Sequence, residues 1–242
     1  MYSSNSHKFI SIYNELDKFM RKYLNENNET PNSVLINKMA KVNTVFYRNK
    51  DDLLDLSRLR NAIVHNPNNK DADPIAEPHE FIVNKFEDIK NIVISPPIAL
   101  NTIAIKAQDI FTAKMNDNAF EVMKKMNDNT FTHVPIIESK KLIGVFSENT
   151  IFSFIVKNEE VIIDKDYLIK DFAEFISNES HVSEYFEFVP RGALVVDIEE
   201  IFKKGLNGRK RIAAIFITET GKQNESLLGL ITAWDLAGYI GN

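Results

Sequence analysis

The sequence contains no cysteine, so it carries neither a disulfide nor a Cys-based metal site. It shows no basic, apolar signal segment at its start and no apolar run long enough to cross a bilayer, so the reducing cytoplasm is the expected compartment and no membrane partner is expected. Positive charge is not in excess: 29 Lys and Arg stand against 34 Asp and Glu, a net charge of -5, which argues against a general polyanion-binding surface and leaves room only for a local basic pocket. Histidine is sparse. His7, His79 and His181 lie in polar surroundings with no ligand-spaced partner, so no metal is expected. What is present, 242 residues with 44% hydrophobic and 26% charged content, is enough to bury a core and permits one or two domains.

The first hundred residues read as all-helical. Phe9, Ile12, Tyr13, Leu16, Phe19, Met20 and Tyr23 recur at spacings of three and four, and the pattern stops in the polar run Asn25 to Asn28. A shorter helix holding Val34, Leu35, Met39 and Val42 follows Pro31, and a third begins near Asp51 with Leu53, Leu56, Leu59 or Arg60, and Ile63 on successive turns. Asn66 to Pro78, polar and proline-rich, reads as a loop, after which Phe81, Ile82, Phe86, Ile89, Ile92 and Val93 restart the helical spacing. Pro96-Pro97 then interrupts regular structure and places a domain boundary, dividing residues 1–97 from 98–242.

The second part is organised by a repeat. Gly229-Leu230-Ile231-Thr232-Ala233-Trp234-Asp235 near the C-terminus has a weaker echo in Gly144-Val145-Phe146-Ser147-Glu148-Asn149-Thr150. In each, a short apolar strand starts at a glycine, turns at a hydroxyl residue and enters a helix. The hydroxyl and the residue three positions on therefore share a helix N-terminus, where N–H groups and the dipole favour an anion. As a Thr-x-x-Asp sequence the segment is also an ordinary capping box. Upstream, Phe131 to Ile137 falls opposite Arg209 to Ile215, and Ala119, Val122, Met123 and Met126 match Val195, Ile198, Glu199 and Phe202 on a helix. Extended Ile110 to Ala113 and Phe186 to Val189 precede those helices. Each unit is strand, helix, strand, strand, helix.

This order and the G-h-x-(S/T)-x-x-(D/N) ending resemble a tandem pair of cystathionine-β-synthase (CBS) domains, the first unit at about 100–157 and the second at about 166–242. The resemblance implies an α+β protein, an N-terminal all-α helical bundle followed by two β-α-β-β-α units about a pseudo-two-fold axis. It also implies clefts for AMP, ADP, ATP or S-adenosylmethionine, with the motif hydroxyl on phosphate and the carboxylate on ribose. Thr232 and Asp235 would fill those roles in the second unit. In the first, Ser147 and Thr150 stand at the matching positions, and Thr150 lacks the two oxygens of a carboxylate. Arg211, aligned opposite His133 beside the cleft strand, is a second-rank phosphate contact, and His133 is a cleft residue. Trp234 is expected in packing rather than as an adenine platform. Between the motifs, Leu168, Phe172, Phe175 and Ile176 have helical spacing and read as the connection between repeats.

In the third N-terminal helix, Arg60, Asn61 and His65 bring a guanidinium, an amide and an imidazole to one patch, suited to a phosphodiester and a proton transfer. The structural alternative has His65 favouring a helix C-terminus and Arg60 pairing with Asp55 or Glu80. Arg-Asn-x-x-x-His in a small helical domain resembles HEPN domains, which implies a bundle that is often dimeric. In catalytic members of that family paired Arg and His residues cleave RNA without metal. Arg60 would then stabilise phosphate, His65 act as general acid–base and Asn61 orient. Three readings follow: a regulatory adenine-nucleotide sensor acting on the helical domain, a nucleotide-gated metal-independent endoribonuclease with RNA as partner, and a non-binding dimerisation scaffold. A homodimer is expected in each.

Overall fold

The computed structural model describes residues 4–64, 74, 76–158, 163 and 165–240. It divides into two compact units, Met1–Pro97 and Ile98–Asn242.

In Met1–Pro97 the described residues form helices α1 (Asn5–Leu24), α2 (Asn32–Val42), α3 (Thr44–Arg48), α4 (Lys50–Val64) and α5 (Glu80–Ile94). The three-and-four spacing of α1 buries Phe9, Ile12, Leu16 and Met20. The helix stops at Asn25, whose φ of 53° is the left-handed cap that asparagine tolerates. Phe9 meets Phe86 of α5 at 4.9 Å between ring centroids, and Leu35, Met39, Phe46, Leu53 and Ile63 complete a dry core. Helix α3 was not anticipated in the sequence. Asn43 starts it, its side-chain oxygen accepting from the N–H groups of Val45 and Phe46 at 2.9 and 3.2 Å. Val34, Val42, Phe81 and Ile92, expected on apolar faces, are exposed, and Ile36 and Val83 are buried instead.

In Ile98–Asn242 the order is α6 (Ala99–Thr102), β1 (Ile105–Lys106), α7 (Ala119–Asn129), β2 (His133–Glu138), β3 (Lys141–Ser147) and α8 (Glu148–Lys157). A 3-10 helix (Ile169–Phe175), β4 (Glu184–Pro190), α9 (Val195–Lys204), β5 (Leu206–Asn207), β6 (Lys210–Thr218), β7 (Gly229–Ile231) and α10 (Ala233–Ile240) follow. Strands β2 and β3 form one antiparallel sheet; the second has the order β1-β7-β6-β4, with β5 also on β6 and only β4 and β6 parallel. The helix–strand–strand–helix of the first repeat thus recurs in the second as α9, β6, β7 and α10.

Three expectations change. Ile110 to Ala113 is not a strand but a single parallel bridge, Ala113 to Ile136, with Ala113 N–H donating to Pro135 O and Ile137 N–H to Ala113 O. Extending it toward Phe111 would require a donor from residue 135, and proline has none. The connection over Leu168 to Ile176 is a 3-10 rather than an α-helix, burying Ile169, Phe172 and Ile176. The stretch that starts the first unit at about residue 100 instead closes the second: β1 pairs with β7, Ile105 opposite Leu230.

Three apolar clusters hold the unit. Val122, Met126, Val134, Phe146, Phe154 and Phe172 centre the first repeat, and Ala99, Val195, Ile198, Ile215 and Ile231 the second. Leu142, Val145, Phe186, Phe216 and Leu230 join the two.

Candidate functional site

Each motif glycine lies where a backbone or a neighbour comes too close for a side chain. A Cβ on Gly144 would stand 2.1 Å from Ile176 O, and one on Gly229 would stand 3.0 Å from Leu100 Cδ1 and 3.1 Å from Ile105 O. The strands can therefore pack flat and deliver the hydroxyl residues to their helix starts. In the second motif Thr232 donates from both N and Oγ1 to Asp235 Oδ2, each at 2.7 Å, which fixes the carboxylate at the start of α10. Both residues remain partly accessible.

Beside them is a cavity of about 260 Å³. Thr232 and Trp234 form one wall, Leu230, Ala214 and Ile105 the sheet side, and the segments 109–111 and 130–133 the opposite side. Phe111 and Phe131 stack at 5.9 Å there, with Lys125 Nζ 5.1 Å from the Phe111 centroid. Trp234, expected to be packed away, is 85% exposed, which overturns that expectation: the inner face of α10 is filled by Leu236. Among the described residues the wall includes one carboxylate, Asp109, and neither lysine nor arginine.

The first motif is built differently. Ser147 and Thr150 form a complete capping box at the start of α8 and are both buried. The acceptor seated there is the chain's own Glu184, the first residue of β4, which the sequence did not single out. Its carboxylate accepts from Ser147 Oγ and Asn149 Nδ2 at 2.7 Å, and from His133 Nε2 and His181 Nδ1 at 2.9 Å. Burial alone would raise this carboxyl, but the hydrogen bonds of His133, His181 and Ser147 hold it well below the usual carboxylate range. His181, read as lying in polar surroundings, is 3% exposed; its place beside Glu184 corrects that reading. His133 touches both places, since its ring also lines the cavity. Arg211 on β6 is exposed and does not line the cavity.

In Met1–Pro97 the Arg60 guanidinium lies over the Tyr13 ring, 5.0 Å from its centroid, and its Nη1 reaches Asn61 Oδ1 at 3.4 Å. Asp55, considered as its partner, pairs with Arg58 instead. Arg60 has no carboxylate partner among the described residues, and its Nε is buried without an acceptor. His65 lies outside the described residues.

Residues 103–157 match the family model of the CBS domain, within an α+β chain whose N-terminal helical region is followed by two helix–strand–strand–helix repeats. No curated protein matches it. Similar solved structures include CbpB in complex with c-di-AMP, at 20% identity and TM-score 0.44, covering 64% of this chain and 90% of that one. CBSX2 in complex with AMP has 12% identity and TM-score 0.41, over 59% and 94%. The CBS domain pair of protein MJ0100, in complex with 5′-methylthioadenosine and S-adenosyl-L-methionine, has 16% identity and TM-score 0.40, over 60% and 97%.

Proposed function

We propose that Ile98–Asn242 is a regulatory receptor for an adenosine-containing ligand, held at the second motif, whose occupancy controls the N-terminal helical domain. The cavity beside Thr232 carries this reading, because it joins aromatic surface for a base to the motif hydroxyl, which itself holds the Asp235 carboxylate at 2.7 Å. Phe111, Phe131 and Trp234 offer stacking faces. Asp235, with Oδ2 taken by Thr232, offers its other oxygen to ribose hydroxyls, and Thr232 meets the 5′ substituent. The described wall has Asp109 and no lysine or arginine, which disfavours a polyphosphate. AMP or S-adenosylmethionine is therefore expected to bind more tightly than ATP in calorimetric titration. Asp235→Ala should weaken that binding by about 1.5–3 kcal/mol, the range for lost hydrogen bonds to a charged group. Melting measured alongside separates the lost helix cap, worth about 1 kcal/mol. No heat with AMP, ADP, ATP or S-adenosylmethionine overturns the receptor; tightest binding of ATP overturns the ligand preference.

A second reading is favoured by the lack of a carboxylate partner for Arg60 among the described residues and by its place beside Asn61. As a phosphate-holding pair with His65 as acid–base, this patch would make the helical domain a metal-independent ribonuclease. One chain supplies one such set, so the active form would be a homodimer. Cleavage should then persist in chelator and leave 2′,3′-cyclic phosphate ends, and His65→Ala should lower the rate by roughly 10²–10⁴. A mixed RNA pool left uncut over hours, with and without adenine nucleotides, removes this reading.

A further inference from the structure

Glu184 is 5% exposed, and an ionised carboxylate that far from water needs its acceptor directions filled. They are filled evenly. Oε1 accepts from Ser147 Oγ and His181 Nδ1, and Oε2 from His133 Nε2 and Asn149 Nδ2. The donors come from β2, from the β3–α8 junction and from the segment before β4, so the seat is assembled by tertiary structure rather than by one helix end. Phe186 stands at the edges of both imidazoles, 5.9 Å from His133 and 5.0 Å from His181 by ring centroids. Ser147 is the first-repeat counterpart of Thr232, yet Thr232 borders a cavity and Ser147 is fully buried against Glu184.

We propose that Glu184 is the built-in occupant of the first motif, an internal carboxylate ligand that closes this seat to anions from outside and leaves the second motif as the receptor. Thr150 is then not what disables the first site. Its hydroxyl completes a capping box, and the donors an incoming ligand would use are already committed to Glu184. The clause about the second motif rests on the receptor reading above; the occupied seat does not.

The seat can be tested without any nucleotide. Glu184→Ala leaves four donors facing a carboxylate-sized space, so the variant should melt below the parent and recover with formate or acetate, but not with chloride at matched ionic strength. The parent protein should show no such response. A folded variant that ignores the small carboxylates, or a parent that responds equally, overturns the proposal. Should the variant fail to fold, the parent decides. An ionised carboxylate only accepts, so each nitrogen facing it must carry hydrogen. Long-range ¹⁵N spectra of the parent's imidazoles should show opposite tautomers, Nε2–H for His133 and Nδ1–H for His181. The same tautomer in both rings overturns the seat. A protein that binds no nucleotide yet shows the anion rescue fails only as a receptor; one that binds nucleotide without rescue fails only here.

Discussion

At the scale of single residues, what was legible depended on how far apart in the chain the partners lie. Thr232 and Asp235 are three residues apart, and their contact is written in the local sequence. Glu184 is 37 residues from Ser147 and 51 from His133, so its role arises only when β4 is laid beside the first repeat. Nothing local marks His181 either: a histidine among Ser180 and Val182 reads as surface until its Nδ1 is seen on Glu184. The motif glycines were legible as landmarks, but their reason is steric. Alanine at 144 would drive its methyl into Ile176 O, the same carbonyl that accepts from Val145 N–H at 2.9 Å. Two backbones must part or that hydrogen bond must go. Gly144→Ala is expected to lose about 1–3 kcal/mol or more in urea unfolding. Gly192, with nothing within 4 Å of its would-be Cβ, is the control, and Gly192→Ala should be near neutral. Equal midpoints for the two variants would refute the close-approach account.

At the scale of elements, periodicity located the helices well because helix faces bury residues every three or four positions, as α1 and α7 do. It failed where another period or a missing donor took over. The run from Ile169 to Ile176 buries side chains at intervals of three and four, so apolar spacing alone could not separate a 3-10 from an α-helix. The stretch before Ala113 has strand-like composition, but its pairing partner would be Pro135. Helix α3 is only five residues long, too short to display a period, and it depends on the side chain of Asn43. The repeat itself was legible in order. That β1 would close the second repeat rather than open the first was not, since strand pairing is set by tertiary register.

At the scale of the molecule, the lowered carboxyls set how stability responds to acid. Glu184 is lowered while buried; Glu225, held down to about 2 by hydrogen bonds from Thr220, and Glu26, Glu77 and Glu87, also lowered, lie at the surface. A carboxyl lowered in the folded chain binds its proton more readily once unfolded, where the value is about 4.3. Its contribution is therefore fully present above that value and is lost as pH falls through the folded-state value. Urea midpoints should hold from pH 6 down to about pH 5 and then fall as the solution is taken toward pH 3. Salt removes only the ion-paired surface contributors, Glu26 with Lys38 and Glu87 with Lys8, because exposed pairs are screened at high ionic strength and a buried carboxylate held by four donors is not. In high salt the remaining acid slope should come from Glu184 together with Glu225 and Glu77, which are held by hydrogen bonds from hydroxyl and backbone groups. Glu184→Gln cannot titrate, and its amide nitrogen turns a donor toward donors, so this variant should be weaker at neutral pH and flatter toward acid. If it keeps the parent's slope in high salt, the carboxylate of Glu184 is not among the groups that couple this fold to pH.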